Sequence, residues 1–173
     1  MQGRVYVLTG GLCGFVVIAV WFAYVPDLIA VGHIAETLDR LVLGVRWAAL
    51  LQVPLALGIV AVAQQRFWSS RYADGSAPIS GSSLDINRRY LTNTVEQTLL
   101  ATVGTLALAV TAPPDYLSFV PALAMLFVLA RICFWVGYLI HPYARAFGLV
   151  LTLAPTIAVY IYVLTDLANS LGA

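Results

Sequence analysis

A chain of 173 residues with 61% hydrophobic residues, 10% charged residues and a mean hydropathy of +0.91 is not an ordinary water-soluble domain, in which about 25% of residues are charged. A net charge of +1 and the lack of any long basic run exclude disorder and phosphate-tracking nucleic-acid binding. What is left is a polytopic membrane protein, one bundle by length, whose nine basic residues are all arginine.

A spanning helix needs roughly 20 apolar residues. Val5 to Val25 supplies 21 uncharged residues before Pro26-Asp27, too long for a signal peptide and without an A-x-A site after it, so it reads as a retained span. Gly10, Gly11 and Gly14 give it a small-residue face suited to close packing. Asp27 to Arg40 places Leu28, Val31, Ile34, Leu38 and Leu41 at helical spacing around His33, Glu36 and Asp39, which predicts a short interfacial helix. The second span runs from Leu41 to about Ala63 with Arg46, Gln52 and Pro54, Arg46 snorkelling to the nearer surface. Gln65 to Leu84 is the longest polar stretch, with Phe67, Trp68 and Tyr72 as interface anchors. The third span starts near Asn87, with Asp85 as its expected N-cap, and ends at Thr111. Pro113-Pro114 and His141-Pro142 mark turns around a fourth span, Tyr116 to Ile140, which contains Arg131. The fifth runs from Ala146 to about Leu167 through Pro155, an expected kink like Pro54, and its Tyr160-Ile161-Tyr162 stretch reads as interface or lipid-facing packing.

Arginine placement sets a direction. With the N-terminus cytoplasmic, the inner side holds Arg4, Arg66, Arg71, Arg88, Arg89 and Arg145, and the outer side only Arg40. Cys13 and Cys133 lie far from any metal or redox motif and read as buried free thiols. His33 and His141 are isolated, so no metal is expected.

Ionisable groups at membrane depth are costly and need a partner or a task. Arg89, Asn93, Glu96 and Gln97 recur at i, i+4, i+7 and i+8, hence on one face of the third helix. Arg131, Phe134 and Tyr138 share a face of the fourth, and Arg145 follows just past the next turn. Three guanidiniums can clamp carboxylates or hold a thiolate, Asn93 and Gln97 can bind amides, and Glu96 can receive an ammonium. A small zwitterionic peptide with several carboxylates suits that set. A plain interhelical ion pair between Glu96 and Arg131 is the competing reading.

The run Arg89-Tyr90-Leu91-Thr92-Asn93-Thr94-Val95-Glu96 resembles the R-x-x-x-N-x-x-E signature of the superfamily of membrane-associated proteins in eicosanoid and glutathione metabolism (MAPEG), as Ala130-Arg131, Tyr138 and Arg145-Ala146 resemble its A-R-x(6)-Y pattern and following arginine. The resemblance covers about Leu41 to Leu167. It implies an all-α integral membrane protein: a four-helix unit over residues 41–173, preceded by an extra N-terminal transmembrane helix and interfacial segment over 1–40. It also implies a homotrimer in a bacterial inner membrane, with glutathione as co-substrate, bound between subunits near the cytoplasmic side. By motif position Arg89, Asn93, Glu96, Arg131 and Tyr138 would contact glutathione, with Gln97 beside them on the same face, and Arg145 would stabilise its thiolate. The second substrate would be a lipophilic electrophile or hydroperoxide from the bilayer. Thr92 stands where several transferase members carry arginine, Phe134 where Tyr or His is frequent, and the first span has no counterpart in the usual four-helix members. The alternative is therefore a non-catalytic lipid-binding or scaffold protein of the same fold.

Overall fold

The computed structural model describes residues 2–32 and 34–172. Five helices dominate it: α1 Gln2–Leu28, α2 Thr37–Phe67, α3 Ser83–Thr111, α4 Phe119–Ile140 and α5 Ala146–Gly172, with a 3-10 turn at Pro114–Tyr116 before α4. All five are long and apolar enough to cross a bilayer. Helices are the expected form, because hydrocarbon offers no partner for backbone polar groups and a helix satisfies its own.

The connections put α2 against α3 and α4, α5 against α4 and α3, and α1 outside, on α5 and α4. Close approach depends on missing side chains. A Cβ on Gly148 of α5 would lie 2.3 Å from the Phe134 nitrogen of α4, and one on Gly58 of α2 would lie 2.9 Å from the Tyr90 ring of α3. On α1, Gly14 faces Val150 and Gly10 faces the Phe147 backbone, so the small-residue face of the first span packs on α5 of its own chain. The Trp21 indole N–H then donates to the Ala122 carbonyl at 3.0 Å and fixes α1 against α4.

Several boundaries depart from the sequence reading. α1 continues through the buried Pro26 to Leu28, and the described residues between it and Thr37 are not helical; His33 lies outside the described residues. The interfacial helix is replaced by a linking segment because that segment finds tertiary partners. Val31 and Ile34 pack on the core of Leu108, Ala109, Ala112, Leu117 and Val120. Arg40 donates to the Ile34 carbonyl at 3.0 Å and the Ala112 carbonyl at 2.9 Å, stapling the link to the end of α3.

The N-cap of α3 is Ser82, not Asp85: the Ser82 hydroxyl accepts the Asp85 N–H at 3.3 Å while the Asp85 carboxylate accepts the Gly81 N–H at 2.9 Å. This reciprocal arrangement starts α3 four residues before Asn87. Cys13 is exposed, because α1 has neighbours on one side alone, and Cys133 on α4 is only partly buried, so neither is the buried thiol the sequence suggests. Arg46, Phe67 and Trp68 are exposed, whereas the Tyr160 and Tyr162 hydroxyls reach back to the α3 carbonyls of Leu100 and Thr111. α2 and α5 run on through the buried Pro54 and Pro155.

Candidate functional site

The end of the bundle where α3 begins and α4 ends carries most of the arginines, and an open cleft of about 480 Å³ lies there along α3. Arg88, Arg89, Thr92, Asn93 and Glu96 line it, and Ala77 and Pro78 of the α2–α3 loop form its far wall. That loop is shaped by an Asx-type turn: Asp74 accepts from the Ser76 N–H at 2.9 Å and from the Ser76 hydroxyl, across Gly75 at φ +88°. The same two bonds hold the Asp74 carboxyl below its ordinary range.

Behind the cleft wall, Arg131 is fully buried on α4. Its guanidinium donates to the Asn93 side-chain oxygen at 3.0 Å and to the Thr94 hydroxyl at 2.8 Å, and lies 4.2 Å from the Phe134 ring centroid. Arginine has only donors, so it fixes the amide of Asn93 with its oxygen inward. The half-buried Asn93 lines the cleft, and this bond leaves its NH2 group available as a donor. Arg131 acts as a positioning group here, and its own N–H groups do not line the opening.

Tyr90 supports this arrangement from below. Its ring stacks on Trp135 at 4.5 Å and its hydroxyl donates to the Pro54 carbonyl at 3.2 Å. The Trp135 indole donates to Asn87 at 2.8 Å, and Asn87 donates to Gln65 at 3.0 Å, so α2, α3 and α4 are tied by one polar chain.

Arg89, exposed, pairs with Asp85 at 3.0 Å, the one ion pair among the described residues. Tyr138 is buried, and the Arg145 guanidinium sits 4.6 Å from its ring centroid. Arg145 is exposed, at the same end of the bundle as the cleft.

The structure gathers Arg89, Asn93 and Glu96 along one opening, with Arg131 behind it; Tyr138 and Arg145 meet each other at the same end of the bundle but are not part of the cleft's lining. It does not gather Gln97, which is buried with its amide oxygen lacking a hydrogen-bond partner. Glu96 and Arg131 do not pair: Glu96 is exposed and Arg131 is engaged by Asn93 and Thr94. Sequence reasoning missed Asp85, Thr94 and Asn87 as supporting groups. The i, i+4 spacing of Asp85 and Arg89 was a readable signal; nothing in the sequence marked Thr94 as the arginine's acceptor.

Comparison with known proteins adds two findings. The profile described as MAPEG family matches residues 41–165. Transmembrane protein 79 of Mus musculus is 26% identical over 124 residues, which is 72% of this chain and 31% of that protein. The chain thus spans less than a third of the curated relative it matches. No solved structure matches it.

Proposed function

The chain belongs to the MAPEG family, and on that premise we propose that it is a membrane-embedded glutathione transferase with peroxidase-type reactivity, working as a homotrimer with glutathione held between subunits. The observation that carries the reading is the cleft itself: cationic Arg88 and Arg89, an Asn93 amide oriented by the buried Arg131, and an exposed Glu96. These match the carboxylates, amide oxygens and ammonium of glutathione group by group. Arg145, aligned on the Tyr138 ring, supplies positive charge for the sulfur.

A free thiol ionises near pH 8.5, at about pKa 8.5, and a neighbouring guanidinium favours the anion. In the conjugation reaction the thiol proton leaves to solvent, the thiolate sulfur bonds to the electrophilic carbon, and that carbon's leaving group departs with the bonding pair. With a hydroperoxide, two glutathiones are oxidised to the disulfide while the hydroperoxide is reduced to alcohol and water. The lipophilic partner reaches the cleft through the bilayer, which concentrates it. The arginine-rich end, with the N-terminus, faces the cytoplasm in this reading.

The test is ultraviolet difference absorbance of the detergent-solubilised protein titrated with glutathione, beside Arg145→Ala. A saturable thiolate band, absent in the variant, supports activation. Absence of the band together with absence of calorimetric binding overturns the transferase reading and leaves a non-catalytic lipid-binding or scaffold role. The bonds of both terminal Arg131 nitrogens to α3 favour that second reading to this extent: the signature arginine already has a structural task without any ligand, although its buried Nε has no partner.

A further inference from the structure

A second cavity lies at the opposite end of the bundle, about 22 Å from Asn93 measured along α3 at 1.5 Å per residue. It holds about 400 Å³ and is walled by four helices: Phe22 from α1, Leu108 from α3, Phe119 from α4, and Pro155, Ala158 and Tyr162 from α5. We propose that this cavity binds the acyl chain of a zwitterionic phospholipid, with the headgroup held by Arg40 and the carboxylates at the same end of the bundle.

Three observations carry the assignment. The walls are apolar almost throughout, and the volume lies within the range of about 300–1,000 Å³ usual for small-ligand sites. The lining extends about 10 Å along α5 from Pro155 to Tyr162, which accommodates a segment of an acyl chain. A cavity at this depth in a five-span protein is filled from the bilayer, so its occupant must partition there.

The mouth selects the headgroup. Arg40 reaches it through its bond to the Ala112 carbonyl, and Ala112 is part of the lining. Asp115 precedes Tyr116 on the rim and is exposed. This end of the bundle holds Arg40 and Arg46 against Asp27, Glu36, Asp39, Asp115 and Asp166. A phosphate meets Arg40 and an ammonium meets the carboxylates. A purely anionic headgroup would face the acidic surplus uncompensated.

The site also gives α1 a task. Phe22 stacks on Phe119 with centroids 5.8 Å apart and planes at 9°, and the adjacent Trp21 is pinned to Ala122 at 3.0 Å. α1 lies before the family match at residue 41, so this wall is an addition to the four-helix unit. The inference stands independently of glutathione chemistry at the other end.

The experiment uses the full chain in detergent, titrated with phosphatidylethanolamine or phosphatidylglycerol brominated on the acyl chain, following tryptophan fluorescence. Trp21 is the near reporter, and Trp47, which packs on the Leu108–Ala112 core, is the second. Saturable quenching by the ethanolamine lipid is expected at a concentration at least about tenfold below the glycerol lipid. Ala158→Phe, which fills the cavity from an exposed position, should abolish it with helix content and melting temperature unchanged. Phe22→Ala, which opens the wall, should weaken it severalfold. Quenching that never saturates, equal or tighter binding of the glycerol lipid, or wild-type binding in folded Ala158→Phe each overturns the proposal.

Discussion

Arg131 sits where no charge would be left without cause: fully buried, in the span of α4, with two bonds to α3 and an aromatic face at 4.2 Å. Removing one of its acceptors leaves a charged donor unsatisfied, so Asn93→Ala should lower stability in detergent by about 1–3 kcal/mol. It should also weaken glutathione binding, because the NH2 donor goes with it. Thr94→Val removes the other acceptor but leaves Asn93 in place. Melting should fall comparably while glutathione affinity is kept, and calorimetry on both variants separates support from contact. At Tyr138 the ring and the hydroxyl have different tasks. Tyr138→Phe retains the platform under Arg145 and should retain the thiolate band, whereas Tyr138→Ala loses a cation–π contact of about 1 kcal/mol and should shift the band's midpoint to higher pH. The sign follows from the charge: a guanidinium held at the sulfur lowers the thiol pKa, and a guanidinium released from it lets the pKa climb back towards its free value.

Between helices, backbone proximity decides what is tolerated. Gly148 permits α5 to lie on the Ala130–Phe134 backbone of α4, and any side chain there would meet main-chain atoms that cannot swing aside. Gly148→Val should cost about 3 kcal/mol or more, read as lost thermal stability, since overpacking against backbone has no rotamer escape. The start of α3 depends on the Ser82 cap and the Asp85 return bond. Ser82→Ala should cost about 1 kcal/mol and loosen the first turn, which leads directly into the turn that presents Arg88 and Arg89. Proteolysis in the α2–α3 loop should rise in that variant, and glutathione affinity should fall with it.

Across the whole molecule the charges are polarised: six of the nine arginines lie at the end that holds the cleft and five of the eight carboxylates at the other. Single-cysteine reporters at Ser76 and Ser170, in a background lacking Cys13 and Cys133, test the proposed direction. Impermeant maleimide on intact cells should label position 170 and spare position 76; the reverse pattern would invert the topology. A chain beginning near Asp27 lacks α1 and with it the α5 cover through Gly10 and Gly14. If the proposed homotrimer forms and α1 supports it, that truncation should lose it in detergent by light scattering, whereas an unchanged oligomeric mass would confine α1 to the lipid cavity.

Five membrane helices, and the residues that carry family membership, were legible from the chain itself, because hydropathy and helical spacing are local properties that hydrocarbon enforces. Face-sharing along α3 and α4 was equally readable, and it brought Arg89, Asn93 and Glu96 to one opening. What a one-dimensional pattern does not contain is which neighbour a side chain meets. Gln97 fits the same helical face yet is buried, and Arg131 chose Asn93 and Thr94 over Glu96. The segment before Thr37 has helical periodicity, but Arg40 and the core beneath it hold it in another form. The cavity behind Phe22 exists only because α1 returns to lie on α4 and α5. Packing between distant segments settled these points, since the free energy of a buried polar group depends on the partner that three dimensions supply.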